Sequence, residues 1–168
     1  MRTSAPSAGR AFAALTMIAA LAFTSASAQP ATPPAPYGAP IQLAPAERIV
    51  DAAQAEAERN GWVVAIAVVD SGGHLVSFRR MDGVGTAIVD IAIGKARTAT
   101  SMRQPSGDLE GWAAASSAPV AIPGIMPFAG GQLIVVDGRI VGGIGVSGAE
   151  SSQDLQVGQA GLAALTRR

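Results

Sequence analysis

The chain of 168 residues carries 12 basic and 12 acidic side chains and has no formal net charge at pH 7. It contains no cysteine and one histidine, which excludes disulfides, thiolate metal sites and thiol nucleophiles. Because it has no basic excess, neither nucleic acid nor an anionic membrane surface is an expected partner.

The first 28 residues have the organisation of a secretory signal peptide. Arg2 and Arg10 precede or border an apolar run at residues 11–23, and an A-S-A sequence ends at Ala28. The apolar run has 13 residues, whereas a helix needs about 20 to span a bilayer. We therefore predict cleavage after Ala28, export to the periplasm or the medium, and no membrane span. A buried N-terminal helix is the alternative interpretation.

Residues 29–42 are predicted to form a linker. Five prolines in this stretch exclude a helix and favour an extended, polyproline-like tether, with Tyr37 as a loose anchor. The folded domain is predicted to occupy residues 43–168.

The first half of this domain predicts a helix followed by a hairpin. Pro45 suits the first turn of a helix, and apolar residues recur at helical spacing up to Asn60. Residues 62–69 and 74–80 predict two strands joined by a turn at 70–73. Strict alternation along the second strand predicts His74, Val76, Phe78 and Arg80 on one face, and Leu75, Ser77, Arg79 and Met81 on the other.

The second half predicts a helix at 86–102, an irregular segment at 103–130, a hairpin and a final helix. The hairpin strands, 132–136 and 139–147, are joined by Asp137-Gly138, a strong two-residue turn signal. The final helix, at about 152–166, is predicted to be capped by Ser151, with Asp154 in its first turn. Two hairpins require antiparallel pairing, so the predicted fold is α+β.

The last strand contains a glycine-rich motif, G-I-G-V-S-G at 143–148. It matches the dinucleotide-binding pattern, but neither a further strand nor a suitably placed acidic residue follows it. Gly143 and Gly145 share one face of the strand with Ser147, and their bare backbone admits either a helix or a flat ligand. Ser147 lacks the glycine spacing of a nucleophile elbow, and nothing in the sequence brings the only histidine to it.

The second predicted strand carries side chains suited to a ligand. His74 is either an exposed turn residue or the imidazole ligand of a metal or haem iron. Arg79 and Arg80 either form surface ion pairs or bind the carboxylates of a ligand beside Met81.

Lys95 lies on an apolar helix face, where an unpaired ammonium group is costly. We expect it either to face a pocket or to pair with a nearby carboxylate, the candidates being Asp70, Asp82 and Asp90.

Three blocks of the sequence together resemble the GlcG/HbpS family. They are V-V-A-I-A-V-V-D-S-G-G-H-L-V-S-F-R-R-M-D-G at 63–83, D-I-A-I-G-K-A-R-T-A at 90–99, and G-R-I-V-G-G-I-G-V-S-G-A at 138–149 followed by Gln153-Asp154. The resemblance covers about residues 43–166 and implies a profilin-like α+β fold, a mostly antiparallel sheet flanked by helices, assembled into oligomers. The family includes a secreted haem-binding, haem-degrading protein that works with a sensor kinase, a glycolate-operon protein, and the C-terminal domain of PduO-type corrinoid adenosyltransferases. Two features depart from the family: G-G-Q-L-I at 130–134 lacks the proline of G-G-x-P-I, and the first helix has no histidine.

Together with the predicted signal peptide, the resemblance leads us to expect an exported homo-oligomer that binds haem or another planar tetrapyrrole, for its sequestration, degradation or sensing. The candidate ligand-binding residues are His74, Arg79, Arg80, Met81, Lys95, Gly143, Gly145, Ser147 and Gly148, with His74 as the candidate iron ligand. One alternative is an enzyme or accessory factor that acts on a small carboxylate through Asp70, Arg80, Asp82 and Lys95. Another is a module that binds a partner protein.

Overall fold

The computed structural model describes residues 33–116 and 121–166. The predicted signal peptide and residues 29–32 of the predicted linker lie outside these ranges. The elements in chain order are α1 (Leu43–Asn60), β1 (Ala65–Asp70), β2 (Leu75–Arg80), α2 (Thr86–Met102), a 3-10 helix (Ser106–Leu109), α3 (Glu110–Ala115), β3 (Gly131–Val136), β4 (Arg139–Ser147) and α4 (Ser151–Ala163).

The four strands form one antiparallel sheet in the order β2-β1-β4-β3. The two central strands are almost fully buried because helices cover both faces of the sheet. On one face, α1 and α4 pack over a cluster that includes Ile49, Ile66, Val68, Ile144 and Val146. On the other face, Ala92 and Ala96 of α2 pack over smaller side chains of β1, including Ala65 and Ala67. The predicted α+β fold, an antiparallel sheet flanked by helices, is confirmed.

A β-bulge in β2 makes the predicted alternation wrong, because that alternation placed Val76 and Phe78 on the same face of the strand. Val68 pairs with Ser77 but Val69 pairs with Leu75, so Val76 is an extra residue in β2. A bulge interrupts the alternation of side chains along a strand. Val76 therefore packs against the cluster beneath α1, whereas Phe78 packs against the cluster beneath α2.

The end of the predicted linker is part of the folded domain. Tyr37 forms a parallel bridge with Ile140 of β4, and Ile140 N donates to Pro36 O at 2.8 Å. The Tyr37 hydroxyl donates to Thr100 O at 2.9 Å, and Ile41 is buried in the main core. An extended proline-containing segment can pair in this way because its carbonyl groups still accept hydrogen bonds. Residues 36–41 are thus bound to the domain rather than free of it.

The segment predicted to be irregular contains the 3-10 helix and α3, and side chains tie it to the sheet. Thr98 Oγ1 accepts from Met126 N at 2.7 Å, and Ser106 Oγ accepts from Gly131 N at 2.9 Å. At the start of α4 the N-cap is Glu150 rather than the predicted Ser151. Within the described ranges, no helix has both the length and the apolar character needed to cross a membrane.

Candidate functional site

A cavity at the end of β2 brings together three of the predicted site residues. Arg79, Arg80 and Met81 lie here because the last residues of β2 pass beside the C-terminal half of α1. The cavity has a volume of about 340 Å³ and is lined by Gln54, Glu58, Arg79, Arg80, Met81 and Asp82. Its two arginines and its thioether match the cluster that the sequence predicted.

Fixed acceptors hold both guanidinium groups of this cavity. Arg79 donates to Asp51 Oδ1 at 2.9 Å and to Gln54 Oε1, and Arg80 donates to Val84 O at 2.8 Å. A guanidinium has five N–H groups, so these bonds leave donors for a ligand. The two side chains leave β2 on opposite faces, since Arg79 is paired with Ile66 and Arg80 with Ala65, so an acidic molecule that meets both cations would have to span the end of the strand.

Gln54 and Glu58, the residues of α1 that line the cavity, were not predicted as site residues. Gln54 and Glu58 lie four residues apart on one helical turn, and Gln54 Nε2 donates to Glu58 Oε1 at 2.6 Å. Polar residues at this spacing mark the solvent face of a helix. The sequence could not show that the end of β2 would lie against that face, because the pairing joins residues about 25 positions apart.

His74 lies at the opposite end of β2 and does not line this cavity. Its side chain is 83% exposed, and its Nδ1 lies 3.4 Å from Asp70 Oδ1. Six residues separate His74 from Arg80, which corresponds to about 20 Å along an extended strand. Within one chain, the structure does not bring His74 together with the two arginines.

Asp70 orders the turn that carries His74. Its Oδ1 accepts from Gly72 N at 2.8 Å and from His74 N at 2.9 Å. Partial burial alone would raise the pKa of Asp70, but the His74 and Gly72 N–H groups outweigh it and lower that pKa below its usual value. Asp70 is therefore a carboxylate that faces Nδ1 of His74.

Lys95 is buried and does not line the cavity at the end of β2, because it forms an ion pair with a residue of α4. Its Nζ donates to Asp154 Oδ2 at 2.8 Å and to Val146 O at 3.0 Å, and both side chains are almost fully buried. The predicted partners Asp70, Asp82 and Asp90 are wrong, since the partner is Asp154 in the first turn of α4. Burial raises the pKa of Asp154, while Lys95 and the Ala149 N–H act in the opposite direction.

α2 covers the glycine face of β4. A Cβ atom on Gly143 would lie 2.8 Å from Ala96 O, and one on Gly145 would lie 2.5 Å from Ala96 N. Ser147 is buried on the same strand, and a Cβ on Gly148 would lie 2.5 Å from Val63 O. Of the two alternatives for the bare backbone, the structure contains the helix, and a flat ligand on this face would have to displace α2.

Two further cavities lie on either side of Glu110. They have volumes of about 440 and 480 Å³, and the charged residues that line them are Asp108 and Glu110. Neither of these linings includes a cation, whereas the cavity at the end of β2 has two arginines beside Glu58 and Asp82, so it suits an acidic ligand better although it is smaller.

The structure does not gather the residues predicted for an enzyme acting on a small carboxylate. Arg80 and Asp82 share the β2 cavity, but Asp70 lies at the other end of the strand and Lys95 is paired with Asp154. Among the described residues, no group of three or more His, Asp or Glu side chains is placed to hold a metal ion.

Comparisons with known proteins extend over most of the chain. It matches the HbpS-like family, described as haem degrading protein HbpS-like, over residues 41–163. Protein GlcG of Escherichia coli K12 is 42% identical over 103 residues, which are 61% of this chain and 77% of GlcG.

Solved structures of two proteins show the same fold. A double mutant of HbpS from Streptomyces reticuli is 34% identical, covering 83% of this chain and 98% of that one with a TM-score of 0.72. A PduOC–haem complex is 25% identical, covering 74% of this chain and 94% of that one with a TM-score of 0.69. Because the family match covers well over half of the sequence, this chain belongs to the HbpS-like family.

Proposed function

We propose that this chain binds haem or a related tetrapyrrole. Its family is described as haem degrading protein HbpS-like, and the similar PduOC structure is a complex with haem. The observation that carries the proposal is the β2 cavity, where Arg79, Arg80 and Met81 meet. Two guanidinium groups suit the two propionates of haem, because arginine binds carboxylates through paired N–H donors.

The residues fit the chemistry of haem in two separate places. Arg79 and Arg80 would hold the propionates. His74 has the surroundings of a ligating histidine, with Asp70 on the side of Nδ1, but it lies about 20 Å along the strand from Arg80, so within one chain it cannot reach the iron of a haem that the arginines hold. When bound, haem would supply the redox chemistry of its iron, and the protein would supply orientation and charge.

Titration with hemin tests this proposal. We expect the wild-type protein to shift the Soret band with a sharp end point, and Arg80→Ala to weaken binding by about tenfold, the loss of one charge-assisted contact. Arg48→Ala is the matched control, because Arg48 is an exposed arginine of α1 outside this cavity. Equal binding by the two variants would exclude the β2 cavity, and an unchanged spectrum with the wild type would refute haem binding.

We also propose that the chain is exported and works outside the cytoplasm. The support is the order of basic residues, short apolar run and A-S-A site at residues 1–28. An exported tetrapyrrole-binding protein would meet its ligand outside the cell or in the periplasm.

A further inference from the structure

The cavity of about 440 Å³ beside Glu110 is built from three parts of the fold. Asp108 of the 3-10 helix and Glu110 at the start of α3 form one wall, Gln132 at the start of β3 forms another, and Leu155 and Gln159 of α4 form the third. A cavity of this volume is large enough to hold a small molecule. We call it the α4 cavity.

Hydrogen bonds hold the walls of the α4 cavity in place. Ser106 Oγ accepts from Gly131 N at 2.9 Å, and Glu110 Oε1 accepts from Ala129 N at 2.6 Å. These bonds tie the 3-10 helix and α3 to the chain that leads into β3. The walls are therefore ordered before a ligand arrives, which lowers the entropic cost of binding.

Gln132 supplies an acceptor that no protein group uses. Only 7% of this residue is exposed, and its Nε2 donates to Leu155 O at 3.0 Å. Its Oε1 accepts no hydrogen bond from the described residues, and among them no fully buried side-chain oxygen or nitrogen lacks a partner. The Oε1 atom must therefore reach an open space, and the space that Gln132 lines is the α4 cavity. A ligand with a hydrogen-bond donor would satisfy this oxygen.

The charged side chains that line the α4 cavity are both carboxylates. They belong to Asp108 and Glu110, and the lining includes no Lys, Arg or His. The Lys95 ammonium lies behind Gly130, where a Cβ atom would be 3.1 Å from Lys95 Nζ, but Asp154 pairs with it at 2.8 Å. The lining therefore gives the cavity a negative potential, which attracts a cation.

We propose that the α4 cavity is a separate ligand site for a small organic cation that carries N–H donors on a primary ammonium group. Asp108 and Glu110 would neutralise the charge of this cation, and Gln132 Oε1 would accept one of its N–H groups. A metal ion fits less well, because among the described residues no group of three His, Asp or Glu side chains is placed to hold one. The proposal goes beyond haem binding, since the ligand has the opposite charge to the haem propionates and lies outside the β2 cavity.

Calorimetric titration with putrescine, a diammonium probe, tests the site at low ionic strength. We expect the wild type to bind one putrescine per chain, and Asp108→Asn/Glu110→Gln to weaken binding by about tenfold or more, since charge-assisted contacts are lost. Glu47→Gln/Asp90→Asn is the matched control, because it removes the same charge from exposed carboxylates of α1 and α2 outside the α4 cavity. This control should bind putrescine as the wild type does.

The bis-trimethylammonium analogue of putrescine separates the hydrogen bond from the charge. It carries the same two charges but no N–H group, so we expect it to bind about tenfold more weakly than putrescine. Gln132→Met removes the amide acceptor. This variant should weaken the binding of putrescine and leave the affinity for the analogue unchanged, which a general disturbance of the fold would not do.

Three results would overturn the proposal. They are no saturable binding of putrescine by the wild type at millimolar concentration, equal weakening by the two double variants, and equal affinity of the wild type for putrescine and its analogue. The surface variants and the analogue decide the question even if Gln132→Met fails to fold. None of these results changes the outcome of the hemin titration, because the two sites share no residue.

Discussion

At the scale of single residues, the buried pair of Lys95 and Asp154 joins three elements. Lys95 belongs to α2, its ammonium also donates to Val146 O of β4, and Asp154 accepts from Ala149 N at the start of α4. A buried ion pair gives little net stability compared with apolar residues of the same size, because desolvation offsets the attraction. Removing one partner is costly, since a charge is then buried alone.

We predict that Lys95→Met lowers the free energy of unfolding by about 3–5 kcal/mol, the usual loss when one partner of a buried pair is removed. The double variant Lys95→Met/Asp154→Leu should recover most of this loss, because it leaves no buried charge. Urea denaturation of the three proteins measures both effects. Arg48→Met, on an exposed side chain, should change stability by no more than about 0.5 kcal/mol. A double variant as unstable as Lys95→Met would contradict the explanation.

The raised pKa of Asp154 predicts how the stability of Lys95→Met depends on pH. A carboxyl group whose pKa is higher in the folded state stabilises the fold at low pH and ceases to do so as the pH rises through that pKa. Loss of the Lys95 ammonium should raise the pKa of Asp154 further. We therefore expect the stability difference between Lys95→Met and wild type to shrink as the pH falls from neutral. A difference that is constant over this range would show that Asp154 does not carry the effect.

At the scale of elements, the contact between α2 and β4 depends on glycine. The backbone of α2 lies so close to β4 that a Cβ on Gly145 would meet Ala96 N at 2.5 Å. Helix and strand approach this closely only where a side chain is missing. The glycine-rich motif therefore sets the distance between the sheet and its covering helix.

We predict that Gly145→Ala destabilises the protein by about 3 kcal/mol or more, because backbone atoms of α2 cannot move aside locally. Gly111→Ala is the matched control: Gly111 lies in α3, and a Cβ there would meet nothing within 4 Å. That change should be neutral or stabilise by up to about 1 kcal/mol, since alanine favours a helix. Thermal unfolding of both variants provides the comparison. Similar unfolding temperatures would contradict the packing argument.

The segment that precedes α1, residues 36–41, contributes to the stability of the fold. Besides the bond from Ile140 N to Pro36 O, Gly38 N donates to Ile140 O and Ile41 N to Val141 O, each at 2.8 Å. The Arg103 guanidinium lies 5.8 Å from the centre of the Tyr37 ring, which adds a cation–π contact.

We predict that a chain shortened to begin at Gln42 is less stable by about 2 kcal/mol than one shortened to begin at Pro36. The shorter chain loses the burial of Ile41 and three backbone hydrogen bonds, partly offset by the freedom of the released segment. Chemical denaturation of the two proteins measures the difference. Equal midpoints would mean that residues 36–41 act only as a tether.

At the scale of the whole molecule, export is testable through the mature N-terminus. We predict that the protein recovered from the periplasm or medium of an expressing bacterium begins at Gln29, as intact mass spectrometry would report. Replacing Ala26 and Ala28 with leucine should block processing, because the cleavage site needs small residues. If the wild type, like the leucine variant, stayed full-length and confined to the cytoplasm, the result would contradict export.

Much of the fold was predictable because it depends on local patterns. The period of apolar residues located α1, α2 and both hairpins, and Asp137-Gly138 fixed the turn between β3 and β4. Antiparallel hairpins then required an α+β fold. The cluster of Arg79, Arg80 and Met81 was also predictable as a group, because the three residues are adjacent in the chain.

Short-range spacing and motifs are enough to specify the order of elements, the antiparallel sheet and the family. They do not specify that Lys95 pairs with Asp154, that α2 covers Gly143 and Gly145, or that Val76 forms a bulge. Nor do they specify that His74 and Arg80 lie at opposite ends of an exposed edge. Each of these depends on contacts between residues distant in the chain, or on strand register, and local spacing carries no information about either.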